Sequence, residues 1–298
     1  MAISARGREQ VKDLLGLERP EHYRPIAVQE ELVESVDAIE LVLATFTTED
    51  DDTIPSFLLR PAHGNGSAVI AVHQHAGAFD LGKSEVAGIA GDPLLAYGRR
   101  LAERGFTVLI PDMAGFEDRQ RGAVATGRED EQFDAFVRIA QGSSLQAKHT
   151  ADIAALTTWM LEQPDVREGV GIMGHSLGGQ IAFFSLAIDS RISTGVISCG
   201  VATVESINIR GIRHNSGWYV PGLIAFGDST AVATAISGQK VLVLAGSNDP
   251  LFPLEGIRSA LNGFPADTCD VVFSESGHSF TEVGMMHALD HFESALVQ

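Results

Sequence analysis

The sequence has little that suits an oxidising compartment, a bilayer or a polyanion. Its 298 residues include only two cysteines, Cys199 and Cys269, each beside apolar neighbours (Ile197-Ser198-Cys199 and Cys269-Asp270-Val271-Val272). That setting reads as two small buried hydrophobes and excludes a disulfide framework. No apolar run approaches the ~20 residues of a membrane helix. The opening Met-Ala-Ile-Ser-Ala-Arg-Gly-Arg-Glu-Gln lacks the apolar stretch of a secretory signal, so the expected location is cytoplasmic. Basic residues are scarce: 21 Lys and Arg stand against 39 Asp and Glu, a formal net charge of -18. A surface of that sign repels nucleic acid and anionic lipid, so neither is an expected partner. Charged residues make up only 20%, and no Pro-, Gln- or Ser-rich stretch or internal repeat suggests bulk disorder or a solenoid.

What is present is enough apolar material, 45% of the chain, for one large α/β domain over residues 1–298. The first 25 residues read as a helical extension followed by a loop through Pro25. Ile39–Phe46 and Ile54–Leu59 read as antiparallel strands at a sheet edge, with the acidic Glu49-Asp50-Asp51-Asp52 as their turn. Six short apolar runs follow: Ala68–Val72, Thr107–Ile110, Val170–Met173, Gly195–Ser198, Val241–Leu244 and Asp270–Phe273. Runs of this length suit strands buried on both faces. Helical stretches at about 94–105, 131–163, 177–188, 253–263 and 280–296 separate them. The expected fold class is therefore α/β, a mostly parallel doubly wound sheet with an antiparallel N-terminal edge. Residues 200–238, rich in Gly, Asn and aromatic residues, interrupt the alternation and read as a small lid-like insertion.

Gly174-His175-Ser176-Leu177-Gly178 contains Gly-x-Ser-x-Gly. The pattern alone is weak, but here it directly follows an apolar run and opens a helix-like stretch. A sharp strand-to-helix turn needs glycines two before and two after the serine, because the backbone segments nearly touch. The turn lifts the hydroxyl above the sheet and aims the helix N-terminus at a developing oxyanion. A serine hydroxyl needs a histidine to take its proton and a carboxylate to orient that histidine. In α/β-hydrolases, which this turn resembles, the chain order is serine, acid, histidine. Asp249 follows the run ending at Leu244, and His278 follows the last strand, both in that order. Asp228 and Asp270 are rival acids, and His287 and His291, inside the last helix, are weaker bases.

The loop His73-Gln74-His75-Ala76-Gly77 follows another strand. In such folds it gives one amide to the oxyanion hole, and the residue after the serine gives the other. His75 and Leu177 are the candidates, with Ala76 second to His75. His73 and His75 also permit a metal reading, although the zinc pattern His-x-His-x-Asp-His is not completed. Arg119, Arg121 and Arg128 are candidates to bind a substrate carboxylate, or else pair with Glu117, Asp118, Glu129 and Asp130 in a solvated loop. Phe116 and Trp218 are further substrate-binding candidates.

These segments, with Leu81-Gly82-Lys83-Ser84-Glu85, Ala90-Gly91-Asp92-Pro93, Pro111-Asp112, Phe116-Glu117-Asp118-Arg119 and Gly246-Ser247-Asn248-Asp249-Pro250, resemble the dienelactone-hydrolase-like and acetyl-xylan-esterase-like branch of the α/β-hydrolases over about residues 40–295. The resemblance implies Ser176, Asp249 and His278 as nucleophile, acid and base, and His75 and Leu177 as oxyanion donors. Dienelactone hydrolases proper carry cysteine where this chain has Ser176, which points to cleavage of a small-molecule ester. No cofactor or metal is implied. An acyltransferase, thioesterase or cofactor-free haloperoxidase would use the same residues, and a non-catalytic α/β module remains an alternative. The N-terminal helix has either its own domain or a second copy in a homo-oligomer to pack on.

Overall fold

The computed structural model describes residues 2–120 and 127–297. Nine strands form one sheet: β1 (Ala27–Val36), β2 (Ile39–Thr47), β3 (Thr53–Pro61), β4 (Ser67–Val72), β5 (Thr107–Pro111), β6 (Gly169–His175), β7 (Ile192–Ser198), β8 (Lys240–Gly246) and β9 (Cys269–Ser274). Their spatial order is β1-β2-β3-β5-β4-β6-β7-β8-β9. The first three and β5 pair antiparallel, and all pairings from β5 across to β9 are parallel. Each of the six apolar runs is one of the strands β4 to β9, and the hairpin β2–β3 is the antiparallel edge.

The helices are α1 (Ala2–Leu15), α2 (Lys83–Val86), α3 (Tyr97–Glu103), α4 (Arg128–Ala140), α5 (Leu145–Leu161), α6 (Leu177–Ile188), α7 (Val204–Ile209), α8 (Leu223–Phe226), α9 (Asp228–Ala233), α10 (Leu254–Leu261) and α11 (Glu282–Leu296). They cover both faces of the sheet, so the strands split their apolar side chains between two cores. In β4, Ala68, Ile70 and Val72 enter one core with α5 and α6, while Val69 and Ala71 enter the other with α3 and α11. In β8, Val241 and Val243 divide from Leu242 and Leu244 in the same way. At roughly 1.5–3 kcal/mol per fully buried aliphatic side chain, this double burial is what drives the central strands together.

Two features depart from the sequence reading. Strand β1 adds a ninth strand at the edge, where a loop and unassigned residues were expected. It is exposed along nearly its whole length and carries Glu30, Glu31 and Glu34, so neither face produces an apolar signal. The helical stretch expected over 131–163 is two helices, divided at Gly142 (φ +79°) and restarted by Ser144, whose hydroxyl accepts from the Ala147 amide at 3.0 Å. The segment 200–238, read as a small lid-like insertion, contains α7, α8 and α9. Helix α1 packs on its own chain: Val11 and Leu15 are buried, and Arg8 donates to the Leu186 and Ser237 carbonyls at 2.9 and 2.7 Å. No helix among the described residues is long and apolar enough to cross a membrane.

Candidate active site

Ser176 sits between β6 and α6 with φ +55° and ψ −114°, a left-handed-side conformation that a non-glycine residue adopts only when its surroundings impose it. The surroundings here are backbone. A Cβ on Gly174 would lie 2.2 Å from the Gly178 carbonyl carbon, and one on Gly178 would lie 2.1 Å from the Val72 oxygen. Both glycines are therefore required by close approach. The Ser176 amide donates to the Ser198 carbonyl at 2.8 Å, which ties the turn to β7.

Asp249 follows β8, and its two oxygens have separate duties. Oδ1 accepts from the amides of Leu251 and Phe252 at 2.8 and 3.2 Å, which fixes the carboxylate in its turn. Oδ2 lies 2.8 Å from His278 Nδ1, and His278 Nε2 lies 2.9 Å from Ser176 Oγ. A carboxylate on Nδ1 places the ring proton there and leaves the Nε2 lone pair for the serine hydroxyl. The His278 ring stacks on Phe252 at 5.2 Å and an interplanar angle of 14°. His175, whose ring is 5.1 Å away, is buried, and burial together with the nearby His278 pushes its pKa down to about 3. It therefore stays neutral beside His278.

The rival acids lie elsewhere. Asp228 accepts from the amides of Val204, Glu205 and Ser229 and so holds the start of α7. Asp270 is exposed on β9. His291 bonds Thr194 Oγ1 at 2.8 Å, away from the serine.

His75 and Ala76 belong to a tight turn after β4, with Ala76 at φ +45°. Among the described residues, no hydrogen bond uses the amides of His75, Ala76 or Leu177. Leu177 opens α6, so its N–H has no preceding turn of helix to bond. His73 is fully buried; it accepts from the Met113 amide at Nε2 and meets the Gln74 carbonyl at Nδ1. Both its ring nitrogens are thus occupied by backbone, which does not fit a metal held between His73 and His75.

A cavity of about 430 Å³ opens over Ser176 and His278. Gln74, His75, Ala76 and Gly77 form one wall, Arg128, Glu131 and Gln132 of α4 another, and Arg213, His214, Asn215 and Ser216 a third. Three of the five expected substrate contacts, Phe116, Trp218 and Arg119, do not line this cavity. Phe116 is buried and stacks on Phe79, supporting the His75 turn. Trp218 is buried against His214 and Phe252. Arg119 is buried and pairs with Asp152 at 3.0 Å, with Asp52 and with the Asp112 carbonyl, so it neither faces the cavity nor joins its sequence neighbours. Glu117 and Asp118 instead meet Lys83, whose Nζ also reaches Asp112 at 2.9 Å. Arg128 does border the cavity. Arg121 lies outside the described residues. Glu131 and Arg213 carried no motif; their only signal was a place in polar segments next to the candidate loops.

The profile of the dienelactone hydrolase family matches residues 83–290. The chain belongs to the dienelactone hydrolase family. It is also 27% identical to YtaP of Bacillus subtilis (strain 168) over 306 residues, covering 99% of this chain and 96% of that protein. Among solved structures it resembles acetyl xylan esterase 1 from Thermoanaerobacterium sp. JW/SL YS485, with a TM-score of 0.68, 16% identity and coverage of 97% and 93% of the two chains. The acetyl xylan esterase from Paenibacillus sp. R4 gives a TM-score of 0.66 at 17% identity, covering 95% of this chain and 92% of that one. At such identities these two structures establish a shared fold, the α/β-hydrolase fold, and nothing finer. The match to the family begins after the His75 turn, so the expected oxyanion loop lies outside the matched segment.

Proposed function

We propose that this member of the dienelactone hydrolase family is a serine esterase that cleaves a small or medium carboxylic ester through an acyl-enzyme, with Ser176, His278 and Asp249 as its catalytic triad. The observation that carries the reading is the unbroken hydrogen-bonded chain Asp249 Oδ2–His278–Ser176 Oγ at 2.8 and 2.9 Å, opening into a cavity. In this reading His278 Nε2 takes the Ser176 proton as Oγ attacks the ester carbonyl. Asp249 holds the ring and stabilises the imidazolium that forms. The amides of His75 and Leu177 donate hydrogen bonds to the oxyanion that develops. The imidazolium gives its proton to the departing alcohol, and His278 then activates water to release the acid. The cavity volume is in the range of small-ligand sites. Its third wall comes from the 200–238 insertion, which supports reading that segment as a lid on a single domain.

The test is Ser176→Ala. It is expected to lower hydrolysis of p-nitrophenyl acetate by roughly 10⁴-fold or more and to abolish fluorophosphonate labelling, with the circular dichroism spectrum unchanged. Turnover that survives the substitution in a folded protein refutes the reading.

A further inference from the structure

The side chain of His75, not only its amide, is tied into the site. The Gly77 N–H donates to His75 Nδ1 at 2.9 Å. An amide can only donate, so Nδ1 carries a lone pair and the neutral ring holds its proton on Nε2. That nitrogen lies 3.1 Å from Glu131 Oε1, and both side chains are nearly inaccessible. The Nε2–H therefore donates to the carboxylate. Phe79 and Phe116 meet the ring edge-on at 5.0 and 5.1 Å. The turn that this ring braces is strained, with Ala76 at φ +45°, and strained turns persist only when their surroundings hold them. Among the described residues, Glu131 has no side-chain partner besides His75.

We infer that Glu131 is a positioning residue: it locks His75 in one tautomer and thereby fixes the turn whose amides border the cavity of Ser176. The inference rests on the esterase reading above, in which those amides bind the oxyanion. Because the Glu131 carboxylate acts through the ring and not on substrate, an amide oxygen can replace it. Loss of the acceptor frees the ring, the turn relaxes, and the oxyanion donors drift from where charge develops. A displacement of donors acts on the transition state more than on ground-state binding, so kcat falls and KM changes little.

The experiment compares Glu131→Gln and Glu131→Ala on p-nitrophenyl acetate and with a trifluoromethyl ketone, which forms a tetrahedral oxyanion on the serine. Glu131→Ala is expected to lose about tenfold or more in kcat and a matching factor in ketone affinity, while Glu131→Gln, which keeps Oε1, restores both. ¹⁵N NMR of the wild-type protein is expected to find His75 protonated at Nε2 and not at Nδ1. If fluorophosphonate labels wild type and Ser176→Ala is inactive, but Glu131→Ala matches wild type in kcat and ketone affinity, this inference is overturned and the esterase reading stands. If wild type is neither labelled nor active, the esterase reading itself fails and takes the inference with it. Should Glu131→Ala not fold, the tautomer decides: a proton on Nδ1 overturns the assignment.

Discussion

Replacing Gly178 by alanine adds one methyl group where the start of α6 meets the backbone of β4. An ideal Cβ there lies 2.1 Å from the Val72 oxygen, 2.7 Å from the His73 oxygen and 2.8 Å from the Val72 carbonyl carbon. Comfortable contact needs roughly 3.5 Å, so β4 and the start of α6 must part by about 1 Å or more. All three opposing atoms are backbone, and no rotamer change relieves them. Overpacking of this kind costs about 1–3 kcal/mol, which at about 2 °C per kcal/mol for a chain of this size lowers the melting temperature by roughly 2–6 °C. The same shift moves Ser176 relative to His278, and a 1 Å misplacement of reacting groups is worth about 100-fold in rate. Gly142→Ala is the control: nothing lies within 4 Å of its Cβ, and only its φ of +79° is disfavoured. That strain costs about 1–2 kcal/mol and leaves kcat unchanged. Scanning calorimetry and steady-state kinetics on both variants make the comparison. A Gly178→Ala enzyme with wild-type kcat would show that the elbow does not hold the serine in the way the contacts require.

Acid should destabilise the fold before it protonates most carboxylates. Burial pushes the pKa of His73 down to about 4 and that of His175 to about 3. Below about 6.5 the unfolded chain takes up protons that the folded one refuses, so stability is complete above that pH and falls toward 4 and 3 by up to about 1.4 kcal/mol per pH unit per group. Denaturant midpoints at about pH 7 and pH 5 measure the slope, and His175→Gln should flatten it; an unchanged slope would contradict the assignment. Arg119→Ala removes a cation from between Asp152 and Asp52, at a cost of about 3 kcal/mol in stability with KM unaffected. A raised KM at unchanged melting temperature would return Arg119 to the substrate.

The parallel half of the sheet was legible because its strands are buried on both faces, which leaves short unbroken apolar runs such as Val241–Leu244. Ser176, Asp249 and His278, which the fold brings into one hydrogen-bonded chain, could be singled out as candidates because each follows such a run. Strand β1 was not, since a strand covered on neither face has no hydrophobic period to read. Arg119 was misjudged because local charge density suggested Glu117 and Asp118 as partners, whereas the ion pair is made with Asp152, 33 residues on, and Asp52 in the β2–β3 turn. Glu131 was invisible for a related reason: one carboxylate among Glu129, Asp130 and Asp134 acquires meaning only when α4 brings it to His75.

Strand β4 lies between β5 and β6 in the middle of the sheet, yet it comes from sequence that precedes the family-matched segment. A fragment cut to residues 83–290 would still contain Ser176, Asp249 and His278. It would lack the strand whose carbonyl Gly178 abuts, the His75 turn and the two Asp side chains of the β2–β3 hairpin that reach Lys148. The smallest piece of this chain that could be transplanted with its chemistry intact is thus larger than the piece that identifies its relatives. Grafts and domain fusions should take their N-terminal junction ahead of β2 and not at the boundary drawn by similarity.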